Sequence, residues 1–215
     1  VVGVRRPAST DTTKKIKEVF VDEGADFNKL RIIHGDLTDY GSVINIINDN
    51  KPYAVINLAA QSHVGISFDL PELTANIDGL GSLRILEAIR HYSPKTRYYQ
   101  ASTSELYGGI TNESLNEETP FNPLSPYSVA KLYSFWITRL YRTAYGINAS
   151  NGILFNHESP FRGEHFVTQK IIKGLVAINK NEQVILRLGN LYSKRDWGHA
   201  RDYMEALYAI VNSDK

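Results

Sequence analysis

Four short runs of the chain are almost continuously apolar: "RIIHGD" (Arg31 to Asp36), "YAVINLAA" (Tyr53 to Ala60), "TRYYQAS" (Thr96 to Ser102) and "ASNGILFN" (Ala149 to Asn156). They are brief and rich in branched or aromatic residues, the pattern of strands buried on both faces of a sheet. Between them, apolar residues recur at helical spacing in "DYGSVINIINDN" (Asp39 to Asn50), "ELTANIDGLGSLRILEAIRHY" (Glu72 to Tyr92) and "YSVAKLYSFWITRLYRTAYG" (Tyr127 to Gly146). That order predicts an α/β fold, a doubly wound parallel sheet with right-handed crossovers. From about Arg162 the pattern turns to helices, loops and one isolated strand, "QVILRLG". A domain of residues 1–160 and part of a smaller lobe, 161–215, interleaved with it, are therefore expected.

Composition narrows the function classes. The 24 basic and 23 acidic residues leave a net charge of +1, so no broad electrostatic footprint for nucleic acid or an anionic membrane exists. Any anionic ligand must meet local arginines, and the expected partner is small. Zero cysteines exclude disulfides and thiolate chemistry and fit a reducing compartment. No 18-residue apolar run and no cleavable leader are found, so the cytoplasm is expected, and the sequons at Asn112 and Asn148 read as chance.

Doubly wound sheets bind ligands beyond the carboxyl ends of their strands. Here those ends read "GDLTD", "NLAAQSHV", "ASTSELYG" and "NHESPFRG", all polar or small. Any one of them is as well explained by a turn. The segment "SPYSVAK" is sharper. Ser125 suits an N-cap and Pro126 the first helical turn, which sets Tyr127 and Lys131 one turn apart on the same face. A fixed cation beside a phenol favours the phenolate and so makes a general base. Tyr and Lys at that spacing are by themselves more often a surface pair; here they follow a hydroxyl-rich strand end in βαβ order.

The segments "GVRRPAS", "GDLTD", "NLAAQSHV", "YQASTSELYG", "SPYSVAKLY", "NGILFNHESP", "RGEHFVTQKI" and "RDWGHARDY" resemble the extended short-chain dehydrogenase/reductases, and within them the GDP-mannose 4,6-dehydratases, over essentially the whole length. The resemblance implies a Rossmann-like NADP-binding domain and a lobe for the nucleotide sugar. It implies a catalytic group of Thr103, Glu105, Tyr127 and Lys131. Tyr127 would take the C4 hydroxyl proton, Lys131 would lower the Tyr127 pKa and hold the nicotinamide ribose, and Thr103 would bond the C4 oxygen. The C5 proton becomes acidic only once C4 is a ketone, so Glu105 is apt as the second base, also assisting departure of the C6 hydroxyl.

For the cofactor, "VVGVRRPAS" reads as the end of the fold's second strand, where an acidic residue would grip an NAD ribose. Arg5 and Arg6 stand there instead and favour the 2′-phosphate of NADP. By resemblance, Asp36 and Leu37 would flank the adenine, Leu58, Ala59, Ala60, Gln61 and Ser62 would line the dinucleotide path, and His157 and Arg162 would add contacts. GDP-mannose would meet Asn156, Val167, Lys170 and Arg195, although "KRDWGHARD" also reads as a charged helix start. A zinc reading of His157, Glu158, Glu164 and His165 lacks a partner motif, and no metal is expected.

Departures from relatives stand at Phe161, His165, Leu73, Gln169 and Tyr192. Relatives also carry a Gly-rich loop before these residues and further chain after them, so a truncated form is expected. A homodimer or homotetramer is implied through the helices at Glu72 to Tyr92 and Tyr127 to Gly146, with Tyr133, Phe135, Trp136 and Tyr141 as apolar surface or, equally, as core. Two alternatives stay open. One is an NADP-dependent nucleotide-sugar epimerase or reductase, which has no need of Glu105; the other is a non-catalytic fragment.

Overall fold

The computed structural model describes residues 1–7, 13–22, 24–109, 114–164 and 166–213, in two compact units: Val1–Ile153 with Ile210–Lys215, and Leu154–Ala209. In the first, β1 (Val2–Arg5) and β2 (Arg31–His34) pair in parallel, with Val2 opposite Arg31 and Arg5 opposite His34. Helix α1 (Lys14–Asp22) lies between them in sequence. Strands β3 (Ala54–Asn57), β4 (Arg97–Thr103) and β5 (Ala149–Leu154) make a second sheet in the order β3-β4-β5, β3 running parallel to β4 with Ala54 opposite Arg97. Each apolar run of the sequence thus yields a strand, and the parallel ladders and helical crossovers follow from the βαβ order.

The helices start and stop where local chemistry directs. Asp39 caps α2 (Tyr40–Asn50), its carboxylate accepting from the Gly41 amide at 2.9 Å. Ser125 caps α6 (Pro126–Tyr145): its hydroxyl accepts from the Ser128 amide at 3.1 Å while Ser128 Oγ accepts from the Ser125 amide at 2.9 Å. This reciprocal box satisfies two orphan amides at the helix end. Gly146, at φ 67°, closes the same helix in the left-handed conformation that costs glycine least.

Helix α3 (Val64–Asp69) is followed by α4 (Pro71–Thr74), a π-helical turn (Ala75–Leu80) and α5 (Gly81–Tyr92). The sequence reads 72–92 as one uninterrupted helix; the π turn in its middle is a correction. Below it α2, α5 and α6 close the core on β4 through Val43, Ile47, Ile85, Leu86, Ile89, Tyr98 and Tyr141. At the rim of that core Tyr141 donates to Glu87 Oε1 at 2.5 Å and Arg90 Nε donates to the same oxygen at 2.8 Å. These bonds, Arg90's first, hold the Glu87 carboxyl down to about 2.

In the second unit β6 (Asn156–Glu158) pairs in parallel with β7 (Trp197–His199), and α7 (Val167–Asn179) and the greater part of α8 (Ala200–Asn212) complete it. The run "QVILRLG" is not a strand: among the described residues nothing pairs with it, and Val184 and Ile185 are exposed. A lone strand leaves its amides and carbonyls without a ladder. The end of α8 belongs to the first unit, where Arg97 Nη1 donates to the Val211 and Ser213 carbonyls at 3.0 and 2.9 Å.

Leu86 is fully buried among α2, α5 and β4. Leu86→Ala is expected to cost about 2–5 kcal/mol, the transfer loss plus a cavity, measurable by chemical denaturation of the protein and its variant side by side.

Candidate active site

Strand β4 ends at Thr103, and a 3₁₀ turn (Ser104–Tyr107) begins there. Thr103 caps it: Oγ1 accepts from the Glu105 amide at 3.2 Å, which fixes the backbone that carries the Glu105 carboxyl. The hydroxyl keeps its own proton for another acceptor. This turn packs against α6, and so does β4. Thr103 and Glu105 are half-buried, open enough to meet a ligand.

On α6, Tyr127 and Lys131 lie on the inward face, with the ammonium 5.9 Å from the centre of the Tyr127 ring. Lys131 is 3% exposed, and Nζ donates to the Ala101 carbonyl of β4 at 3.2 Å. Burial disfavours its charge and pushes its pKa below the usual lysine value, with the Asp78 carboxylate opposing that shift. The cation is therefore immobilised at the strand end rather than snorkelling to solvent.

Beneath Lys131 runs a buried polar network that the sequence reading did not find. Asn57 Nδ2 donates to Gln100 Oε1 at 3.0 Å, Tyr98 donates to the same oxygen at 2.5 Å, and Ser82 donates to it at 2.9 Å. Ser82 and Ser134 share a hydrogen bond of 2.9 Å across the seam between α5 and α6. Asp78, on the π turn, is 1% exposed, and its Oδ1 accepts from the Gln61 amide at 2.7 Å. Burial first of all pushes its carboxyl up to about 6, with Lys131 and the Gln61 amide pulling it back. The signal was legible: Thr74, Asp78 and Ser82 recur every four residues as a polar stripe, and all three are buried.

The dinucleotide candidates occupy two neighbouring places. Arg5 and Arg6 close β1, and Asp36 and Leu37 follow β2, joined by the Gly35 amide donating to the Arg5 carbonyl at 2.9 Å. Asp36 Oδ1 accepts from both the Thr38 amide and hydroxyl at 2.8 Å. The amide bond is the chief reason its carboxyl lies below the usual range, and Arg6 adds to it. Leu37 packs against the core and directly over Gly81, where a Cβ would stand 3.0 Å from it. Leu58, Ala59, Ala60, Gln61 and Ser62 form the loop leaving β3, with Leu58 exposed. Gln61 is held from the helix below by Asp78 and by Thr74 Oγ1, which donates to its Oε1 at 3.4 Å. Two guanidinium groups, an apolar rim, a tethered loop and a buried ammonium are features that fit a nicotinamide dinucleotide.

The remaining residues lie in the second unit. His157 Nδ1 sits 3.0 Å from the Phe155 carbonyl oxygen, and the Arg162 guanidinium stacks 3.6 Å over Phe166. The Asn156 amide donates to the Asp196 carbonyl at 3.1 Å, which brings Asn156 and Arg195 to one end of the small sheet. Val167 and Lys170 share the first turn of α7. The stretch "KRDWGHARD" is a helix start only at its end: Trp197–His199 is strand, and α8 begins at Ala200. Of the zinc reading, His165 lies outside the described residues.

Fold and site together define a Rossmann-like α/β protein with a hydroxyl-carboxylate turn facing a Tyr-Lys helix. The chain belongs to the GDP-mannose 4,6-dehydratase family, whose model matches residues 1–215. It is 48% identical over 217 residues to GDP-mannose 4,6-dehydratase from Sinorhizobium fredii (strain HH103), covering 100% of this chain and 62% of that protein. It is 51% identical over 217 residues to the Drosophila melanogaster GDP-mannose 4,6 dehydratase, covering 100% of this chain and 55% of the relative. The chain thus spans little more than half the length of these relatives. Among solved structures it resembles the dTDP-glucose 4,6-dehydratase DesIV from Streptomyces venezuelae, with NAD and TYD bound, at a TM-score of 0.84 and 21% identity, covering 100% of this chain and 63% of that one. RMD from Pseudomonas aeruginosa, complexed with NADPH, gives 0.80 at 22% identity, over 98% of this chain and 73% of the other.

Because Thr103 Oγ1 caps the turn that carries Glu105, Thr103→Val should destabilise by about 0.5–2 kcal/mol while Thr103→Ser should not. Thermal unfolding of the two variants beside the parent is the measurement.

Proposed function

We propose that the intact protein dehydrates GDP-mannose to GDP-4-dehydro-6-deoxymannose with NADP as its resident cofactor. The observation that carries this reading is the half-buried Glu105 on a turn packed against the helix of Tyr127 and Lys131. Oxidation at a single carbon needs the Tyr-Lys pair alone; a carboxylate beside it supplies the second base that an elimination requires. Family membership and identities near one half support it.

Each residue then has a defined task. A nicotinamide dinucleotide held by these residues would supply the hydride acceptor, and later the hydride donor, that the reaction needs. Tyr127 Oη removes the C4 hydroxyl proton, its phenolate favoured by the buried Lys131 ammonium. Thr103 Oγ1 donates to the C4 oxygen, which its bond from the Glu105 amide leaves it free to do. The C4 ketone acidifies C5, Glu105 takes the C5 proton, and the same proton departs with the C6 hydroxyl as water; as C6 regains hydrogen, C5 is reprotonated, and the proton that Tyr127 took from the C4 hydroxyl closes the count. Arg5 and Arg6 would hold the adenosine phosphate, Asp36 and Leu37 the adenine side, Leu58 to Ser62 the path between, and His157 and Arg162 further contacts. Asn156, Val167, Lys170 and Arg195 would bind the sugar nucleotide, Arg195 through its diphosphate.

A homodimer or homotetramer is the assembly we infer. Val129, Tyr133, Trp136 and Leu140 recur along α6 at three- and four-residue spacing and are all exposed, as are Leu73 and Leu80 on the neighbouring helix. Tyr141, by contrast, is core. The cytoplasm is the compartment proposed, on the missing cysteines and the nucleotide-sugar substrate.

NADP preference has its own test. Replacing Arg5 and Arg6 with Ala should weaken NADP(H) far more than NAD(H), since only the former presents a phosphate dianion. Equal weakening of both in a binding titration would overturn that assignment.

The dehydration itself is tested with Glu105→Gln and GDP-mannose. Product formation should fall on the order of 10²- to 10⁴-fold while the absorbance of reduced nicotinamide still rises on mixing. Tyr127→Phe should suppress that absorbance as well. Deoxy product at a near-parental rate from Glu105→Gln would overturn Glu105 as the second base, and no deoxy product from the parent would favour an epimerase or reductase instead.

A further inference from the structure

An arginine in a turn samples many rotamers, and fixing it against a ligand weakens binding unless the protein has fixed it beforehand. Arg162 stands in the turn between β6 and α7, where its amide donates to the Ser159 carbonyl at 3.0 Å. Its guanidinium is nonetheless held. One face lies 3.6 Å over the Phe166 ring, close for a cation–π pair. Nε is buried 3.5 Å from Glu158 Oε2, an ion pair without the alignment of a hydrogen bond.

The supports are themselves fixed. Glu158 closes β6, and Oε2 also accepts from Thr168 Oγ1 at 2.5 Å, which ties the carboxylate to the first turn of α7. Phe166 is the N-cap residue of the same helix. Its ring packs on Gly163, where a Cβ would stand 3.3 Å from two ring carbons, so a larger residue there would press on the ring. The other carboxylate of the turn, Glu164, is paired with Lys173 and does not compete for the guanidinium. Glu158 thus holds one edge of Arg162 and Phe166 one face. The edge that carries the two Nη atoms makes no hydrogen bond to protein among the described residues. Parallel N–H donors in a rigid fork match a phosphate group.

We propose that Glu158 is a positioning residue for Arg162: its carboxylate, anchored by Thr168, holds the guanidinium on Phe166 so that the Nη edge is preset for a phosphate group of the dinucleotide. The inference rests on the cofactor contact assigned to Arg162 in the function proposed above. Glu158 itself touches no reacting atom.

A carboxylate near an anion site has the wrong sign for attraction, and this makes the idea testable. Charge alone has Glu158 repel a phosphate, so Glu158→Gln would tighten binding. Lost positioning makes the same variant bind more weakly. Arg162 and Glu158 are both partly exposed, where charge effects are screened, whereas the disorder of a released arginine is not. Weaker binding is therefore expected.

The experiment is a double-mutant cycle in the intact protein, read by fluorescence titration with NADPH. Glu158→Gln removes the charge and keeps an acceptor for Thr168; Arg162→Met removes the fork and keeps an unbranched chain over Phe166. Glu158→Gln should raise Kd about 3- to 10-fold. Arg162→Met should raise it about 10- to 100-fold, and the double variant should match Arg162→Met alone. Thr168→Val, which frees the carboxylate without removing its charge, should act in the direction of Glu158→Gln and serves if that variant does not fold. A tighter or unchanged Kd in Glu158→Gln, or an equal further loss in the Arg162→Met background, overturns the proposal. A parental Kd in Arg162→Met overturns instead the cofactor contact of Arg162. NMR relaxation of the Arg162 Nε–H group, assigned by its loss in Arg162→Met, reads the support without cofactor. That group should be rigid in the parent and mobile on the picosecond-to-nanosecond scale in Glu158→Gln. Equal rigidity in both overturns the role of Glu158 whatever the affinities. If the parent does not bind NADPH, the functional reading fails, and the relaxation measurement still decides whether Glu158 holds Arg162.

Discussion

An ammonium group that must stay charged away from water is the constraint around which the first unit is organised. Lys131 gains one hydrogen bond, to the Ala101 carbonyl, and one opposite charge, that of Asp78. Neither alone repays desolvation; an isolated lysine in such a place would release its proton. Several features that look separate follow from this. Strand β4 carries Gln100 in its middle, a polar choice for a buried strand, because the groups around the cation need partners of their own. Helix α6 buries Lys131, Ser134 and Thr138 on the face turned to the π turn, where an ordinary core helix would present leucines.

The seam therefore works differently from the core beside it. Between α2 and α5 the contacts are aliphatic, and shape alone fixes them: Val43, Ile47, Ile85, Leu86 and Ile89. Between α5 and α6 the seam holds a short hydroxyl bond, Ser82 to Ser134 at 2.9 Å. Hydrogen bonds are directional, so they hold register along the helix in a way that interchangeable methyl groups do not. The Tyr127–Lys131 pair keeps its place through that register, whereas a core needs volume.

Much of this was legible in the chain. Apolar runs gave the strands because a parallel sheet buries both faces, and Ser125, Pro126 and Gly146 marked the ends of α6 because orphan amides and carbonyls demand those residue types. Tyr127 and Lys131 fell on one face by helical spacing. The failures share a cause, which is that the deciding partner is distant in sequence. "QVILRLG" has strand composition and, among the described residues, no ladder to join; "KRDWGHARD" reads as a charged helix start, which its end is, and gives no sign that Trp197–His199 ahead of it is the partner of β6. Asp78 is marked in the chain only by the polar stripe it shares with Thr74 and Ser82, since its partners are set by packing against α6, more than fifty positions away. The π turn left no compositional trace at all: "ANIDGL" is as compatible with an α-helix.

That turn makes chain length itself a functional quantity. A π turn accommodates one more residue than the α-helix it interrupts, and each residue of an α-helix rotates the next by about 100°. Excising one position from Ala75–Leu80 would let an unbroken α-helix run from Pro71 to Tyr92. Ile85, Leu86 and Ile89 are locked in the core, so the upstream half would swing, carrying Thr74 and the new occupant of the Asp78 site away from Gln61 and Lys131. Point changes at outward positions such as Leu80 leave this geometry intact, while a single-codon gap does not. An aligned homologue with one residue fewer here has relinquished the arrangement, however similar the rest of its sequence.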